Sequence, residues 1–303
     1  MKNIKFYFSS ARPKQWIKNL LVFAAPFFAY KFNSEIFLNS LKAFIIFSTI
    51  SSAIYFLNDA IDFEKDRLHP KKKLRPIAQG LISRKAAIKV SFVLLIFGNL
   101  YAFYASYFFA ILVTTYCLIQ IAYCNFLKEK PILDIYCISS GFILRALAGG
   151  AISDIYLSPW FILTIGLMAL FLAIEKRKAE LRFYIETGIV IKKVLKIYSL
   201  PLLIRLENIV SASSFITYSL WASGPTLNGA KTSWMLLTIP FILYGIFRYQ
   251  MLSDPKEWSI ESFNFKKSIS TESPEEVLFN DRVLQINIIA WLLSVLIIFK
   301  FTG

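Results

Sequence analysis

Apolar stretches of about twenty residues recur along the whole chain, and no other feature constrains its fold as tightly. As helices they would be about 30 Å long, the thickness of a bilayer's hydrocarbon core. Nine can be placed, at 16–31, 40–58, 87–105, 108–126, 132–150, 159–175, 199–221, 232–250 and 283–301. In hydrocarbon every backbone polar group needs an internal partner, which leaves helices or a closed barrel. A barrel would show shorter, alternating segments. The chain therefore reads as an all-α integral membrane protein, a single polytopic domain over residues 1–303 with nine transmembrane helices. Charged residues, at 17%, are scarce enough for that class. The run "WIKNLLVFAAPFFAYKF" is followed by no small-residue cleavage site, so it reads as the first span, with a kink expected at Pro26. Only a tight turn near Ser106 separates the third span from the fourth.

A formal net charge of +15 would suit a nucleic-acid binder, but its distribution follows a membrane. Loops 59–87, 127–131, 175–198 and 248–282, with the N-terminal segment, hold 27 Lys and Arg, against Lys31, Lys231 and Lys300 on the opposite side. Such residues collect in the cytoplasm. The N-terminus and charged loops are expected there, the C-terminus outside, and no nucleic acid is implied. Cys117, Cys124 and Cys137 fall within spans and read as small packing residues, not as a disulfide or metal site. His69, the only histidine, cannot build a histidine metal site. Mixed charge follows the second span and returns in "EKRKAELRF" after the sixth, as if a four-helix module were used twice.

The stretch "NDAIDFEKDRLHPKKKLRPIAQG" (58–80) carries the chemistry. Asp59, Asp62 and Asp66 have the helical spacing i, i+3, i+7, which on one helix places them within an arc of about 60°. Carboxylates that close need a cation between them, or else form a solvated acidic helix end. Mg²⁺ takes oxygen ligands and bridges to phosphates, and Asn58 could add an amide. Lys71, Lys72 and Lys73 are phosphate contacts or topology markers, whereas Arg75 has a guanidinium that pairs two oxygens at once. Arg145, inside the fifth span, requires a bound anion or a carboxylate from another helix. At the end of span one, Arg12, Lys14, Gln15 and Lys18 gather, Lys14 and Lys18 sharing a face if the segment is α-helical. Trp16 beside them reads as an interface anchor. Lys176, Arg177 and Glu180 close the sixth span, and Tyr123, Lys128 and Asp134 are further candidates. Together they describe a cytoplasm-facing cavity for a diphosphate-bearing substrate and a lipid.

These residues resemble a known family. "NDAIDFEKD" is similar to the NDxxDxxxD signature of the UbiA-type membrane prenyltransferase superfamily, whose members have nine transmembrane helices. "RPKQWIKN", "HPKKKLRPIAQG", "LKEKPILD", "GFILRALAGG", "KRKAEL", "IPFILYGIFRY" and "SPEEVLFND" resemble, in order from residue 12 to about 282, its decaprenyl-phosphate phosphoribosyltransferase branch. The resemblance implies a glycosyltransferase of the bacterial inner membrane. It would move 5-phosphoribose from 5-phosphoribosyl 1-diphosphate to a polyprenyl phosphate, releasing diphosphate, for cell-envelope polysaccharide synthesis. It implies Mg²⁺ on Asn58, Asp59, Asp62 and Asp66, phosphate groups on Lys14, Lys18, Arg75, Arg145, Lys176 and Arg177, and it allows a homo-oligomer. The superfamily's second motif, DxxxD, reads here "EKRKAEL", and this cation-rich form fits substrates with extra phosphates. A prenyltransferase acting on an aromatic acceptor and an anion transporter are the competing readings. Glu175 has no explanation at this level.

Overall fold

A computed structural model describes residues 2–31, 33–69, 72–188, 192–253 and 274–302, and every regular element among them is helical. The chain forms two compact units, Met1–Leu157 with Ile189–Val194, and Ser158–Gly188 with Leu195–Gly303. The first contains α1 (Lys2–Ser10), α2 (Ala24–Phe28), α3 (Ser34–Ile61), α4 (Phe63–Leu68), α5 (Arg84–Ala105), α6 (Tyr107–Asn125) and α7 (Leu133–Ile152). The second contains α8 (Pro159–Thr187), α9 (Leu200–Ala222), α10 (Ile239–Ser253), α11 (Pro274–Asn280) and α12 (Arg282–Thr302). Among the described residues the longer helices are α3, α5, α6 and α7 in the first unit and α8, α9, α10 and α12 in the second.

In the first unit α3 is the axis. Asn33 caps it, its Oδ1 accepting the Ile36 N–H at 2.7 Å. Ala43, Ile46, Phe47 and Ile50 then recur at helical spacing and pack with Phe109 and Val113 of α6 and Leu144 and Ala148 of α7. Phe47 meets Phe109 and Tyr116 edge-on, with centroids 6.2 and 5.5 Å apart. In contrast, Phe92, Phe97 and Leu100 of α5 are exposed, an arrangement suited to lipid and costly in water. In the second unit α8 packs on α9, and α10 on α9 and α12. Its core joins Phe171, Ile246, Tyr249 and Leu252 to Val277 and Leu284. The three cysteines are buried and free.

Seven segments among the described residues are long and apolar enough to cross a membrane: α3, α5, α6, α7, α8, Ser233–Ser253 and α12. Two of the nine expected spans are of another kind. α9 is 23 residues long but carries Arg205, Glu207 and Asn208. Residues 13–28 do not form a single α-helix: a 3₁₀ helix (Pro13–Phe23) passes into α2. The change falls just before Pro26, not at it. Pro26 thereby occupies the first turn of α2, where its missing N–H removes no bond. The 3₁₀ segment lies so close to α7 that a Cβ on Gly149 would overlap the Val22 carbonyl. Ser106 alone separates α5 from α6, in extended conformation (φ −167°, ψ 138°).

Candidate active site

The carboxylates sit where α3 breaks. α3 ends at Ile61, Asp62 (φ −85°, ψ 9°) forms a bend, and α4 begins at Phe63, so the single helix face expected for Asp59, Asp62 and Asp66 is interrupted. Helical register nevertheless carries through: the Asp62 N–H donates to the Asn58 carbonyl and the Asp66 N–H to the Asp62 carbonyl, both at 2.8 Å. Asp59 and Asp66 consequently converge on one group. Arg75 Nη1 donates to Asp59 Oδ1 at 3.1 Å and to Asp66 Oδ2 at 2.5 Å. Arg12 Nη2 donates to the same Asp59 oxygen. Asp62 pairs instead with Lys128 Nζ at 2.7 Å. Asp59 and Asp66 are buried, whereas the Arg12 and Arg75 side chains keep 22% and 24% of their surface exposed. Burial pushes the Asp66 carboxyl above its ordinary value, against the opposing pull of Arg75.

Local structure aims each arginine. After Arg75 the chain turns back through Pro76–Gly80: Leu81 N–H donates to the Pro76 carbonyl at 2.9 Å, and Gly80 takes a left-handed φ of 78°. Ile77, fully buried against Phe56, Ala60, Ile82 and Ala87, anchors that turn two residues from the guanidinium. Arg12 itself has φ 54° and ψ 63°, a left-handed conformation uncommon for a side-chain-bearing residue. Pro13 disfavours the right-handed helical alternative. Ser52 of α3 ties the segment down, donating to the Ala11 carbonyl and accepting from Trp16 Nε1, each at 3.0 Å. Trp16, expected as an interface anchor, thus serves as a clasp on α3. The Arg12 guanidinium lies 4.8 Å from the Tyr55 ring centroid.

Other predicted residues lie elsewhere. Lys14 is exposed, and Lys18 Nζ donates to Gln15 Oε1 at 2.7 Å. A 3₁₀ helix stacks residues three apart, so Lys14 and Lys18 do not share the face expected of them. Asn58 is half-buried, as is Tyr123 in the last turn of α6, and Asp134 is buried in the first turn of α7. Lys71 lies outside the described residues. Arg145 is buried in the apolar core: Nε donates to Asn19 Oδ1 at 2.7 Å, Nη1 to the Gly141 carbonyl at 2.6 Å and Nη2 to Tyr116 OH at 2.9 Å. Its guanidinium also lies 4.7 Å from the Tyr116 ring centroid. Its partners among the described residues are neutral acceptors and π faces, with no carboxylate among them.

The second unit has its own charged cluster. Glu175, Arg177, Lys178 and Glu180 are buried in α8. Lys178 Nζ donates to Glu175 Oε1 at 3.0 Å and to Glu207 of α9, and Gln250 Nε2 donates to Glu207 Oε1 at 2.8 Å. Arg177 pairs with Glu180. Lys176, half-buried, joins no ion pair among the described residues. Sequence reasoning gave Arg12 only a supporting place and missed Glu207 and Gln250 altogether. The "RP" dipeptide signalled the unusual backbone at Arg12, and a carboxylate in the span "LPLLIRLENIV" signalled Glu207.

Among the described residues no three His, Cys, Asp or Glu side chains converge to hold a metal ion by themselves. The UbiA prenyltransferase family model matches residues 20–268. The chain belongs to that family. Within it, decaprenyl-phosphate phosphoribosyltransferase of Mycolicibacterium smegmatis is 37% identical over 297 residues, covering 93% of this chain and 89% of its own. The enzyme of that name from Mycobacterium tuberculosis H37Rv is 35% identical over 291 residues, covering 94% and 91%. Among solved structures, a UbiA homolog from Archaeoglobus fulgidus bound to GPP and Mg²⁺ superposes with a TM-score of 0.71 at 18% identity, over 96% of this chain and 99% of that one. The same homolog bound to DMAPP and Mg²⁺ gives 0.70 at 19% identity, over 95% and 98%. The UbiA fold and the long apolar helices make the chain a multi-pass membrane protein.

Proposed function

We propose that this chain transfers the 5-phosphoribosyl group of 5-phosphoribosyl 1-diphosphate to a polyprenyl phosphate, releasing diphosphate. The observation that carries the reading is the identity, 35–37% across nine-tenths of the chain, to enzymes named for that transfer. The first cluster suits it chemically. Guanidinium groups, which pair phosphate oxygens two at a time, already surround the carboxylates.

Mg²⁺ fits this donor set. Asp59 and Asp66 place two hard oxygens on one positive centre, the Arg75 Nη1, and Mg²⁺ commonly takes one or two carboxylates with water and substrate phosphates completing its shell. Asp59 and Asp66 would hold it, with Asp62 and Asn58 as further ligands. When bound there, the ion would neutralise charge on the departing diphosphate. Arg12, Arg75 and Lys128 orient phosphate oxygens. The lipid phosphate is anionic near neutral pH, so its oxygen attacks C1 of the ribose with no general base. The new C1–O bond forms as the C1–O bond to diphosphate breaks, and no proton moves. The reading is a single displacement with inversion; an isolated ribosyl-enzyme adduct would overturn it.

Nine membrane-crossing segments complete the proposal, the seven apolar ones with α9 and 13–28. The N-terminus and charged loops lie on the cytoplasmic side of a bacterial inner membrane, supported by the Lys and Arg distribution. The deciding experiment incubates purified protein with Mg²⁺, polyprenyl phosphate and 5-phosphoribosyl 1-diphosphate and reads lipid mass. A gain of one phosphoribosyl group, abolished by EDTA, is expected. No gain, with prenylation of an aromatic acceptor from a prenyl diphosphate, would overturn the substrate assignment and leave the family standing.

A further inference from the structure

The carboxylates of the first cluster already have cations for partners, and Lys72 adds further positive charge near Asp66. Asp59, Asp62 and Asp66 face Arg12, Arg75 and Lys128, every one in direct ion-pair contact. A divalent cation arriving alone would meet carboxylates already neutralised. It would also leave two surplus positive charges beside Asp59, which is 3% exposed, and uncompensated charge in so dry a place is strongly unfavourable. A diphosphate arriving with the cation removes the surplus and offers the displaced guanidinium new oxygens.

Of the two arginines, Arg12 is built to be displaced. Arg75 bridges two carboxylates and is anchored through Ile77. Among the described residues Arg12 forms its ion pair with Asp59 alone, and the Tyr55 face supports its guanidinium independently of that carboxylate. Its backbone is fixed in the left-handed region and clasped by Ser52, so movement is confined to the side chain. Resting on the function proposed above, we infer that Arg12 is an exchangeable counter-ion: it holds Asp59 until a metal–diphosphate complex arrives, then passes to the diphosphate. Metal and diphosphate therefore bind as one ligand, and Arg12 enforces the coupling.

The test is calorimetry on purified full-length protein, titrated with Mg²⁺ alone and then with Mg²⁺ plus inorganic diphosphate. Arg12→Asn removes the guanidinium while retaining a residue that accepts left-handed backbone. The expected result is opposite shifts: Mg²⁺ alone binds about tenfold more tightly than to wild type, and Mg²⁺–diphosphate about tenfold less tightly. Arg12→Lys, which keeps the charge, should restore most of the wild-type pattern, and thermal melting establishes that each variant is folded. Weaker diphosphate binding with unchanged Mg²⁺ affinity would make Arg12 an ordinary phosphate ligand and overturn the exchange. Tighter Mg²⁺ with undiminished diphosphate binding would make it a bystander competitor, and no change in either would make it purely structural. Each of these leaves the transfer reaction standing, because that is judged by lipid mass with the ribosyl donor. Opposite shifts without phosphoribosyl transfer would instead preserve the exchange and assign the site to another diphosphate donor.

Discussion

The two charged clusters use similar residues in opposite ways. In the first unit three aspartates meet three cations contributed by separate segments, and two of those cations remain partly exposed. In the second, Glu175, Lys178 and Glu207 are closed in between α8 and α9, all with 4% or less of their side-chain surface exposed. Ion pairs of the first kind can exchange partners with a ligand. Pairs of the second kind fix one helix against another, and removing either partner leaves a buried charge unmatched. That difference in exposure is what supports proposing the chemistry at the break after α3.

The largest effect that could break this assignment is on turnover. Asp62→Asn and Asp66→Asn should each lower phosphoribosyl transfer by on the order of a thousandfold in protein that still folds, with a smaller loss of thermal stability in detergent as Lys128 or Arg75 loses a carboxylate partner. Wild-type turnover in both would remove the metal-site assignment. Next, Lys178→Met should destabilise the protein by roughly 3–5 kcal/mol, because Glu175 and Glu207 lose their shared cation. A folded, stable variant with weakened diphosphate binding would reverse the roles of the clusters. Third comes Gly149→Ala, whose Cβ would overlap the Val22 carbonyl and force it to retreat. About 1–3 kcal/mol of stability should be lost, and a neutral result would show that the 3₁₀ segment yields easily. The smallest effect concerns Glu129, held by Lys65 at 2.9 Å at the margin of the first cluster. That bond depresses its pKa below the ordinary 4.5, so its contribution is present above that value and fades as pH falls through the lowered one. The melting-temperature difference between wild type and Glu129→Gln should therefore be small at pH 7 and vanish in acid. A difference that grows on acidification would contradict the pairing.

Much of this was legible in the residues themselves. Long apolar runs lead to helices through their length, and the aspartate spacing leads to a proposed carboxylate site through helical periodicity. The course of residues 13–28 was not legible, since 3₁₀ and α helices demand nearly the same residues, and only packing against α3 and α7 decides between them. That choice set Gln15 rather than Lys14 beside Lys18. Arg145 illustrates a second limit: a buried cation advertises a need for partners, but its three neutral oxygens and aromatic faces leave no mark in a sequence. Glu175, unexplained on its own, acquires a reason once Lys178 and Glu207 are in place.

The bond from Arg145 to Asn19 joins residues 126 positions apart. At cellular rates of synthesis, that separation is on the order of ten seconds of translation. During that interval the 3₁₀ segment is held at its Ser52 end, where α3 is already made, and its Asn19 end waits for α7.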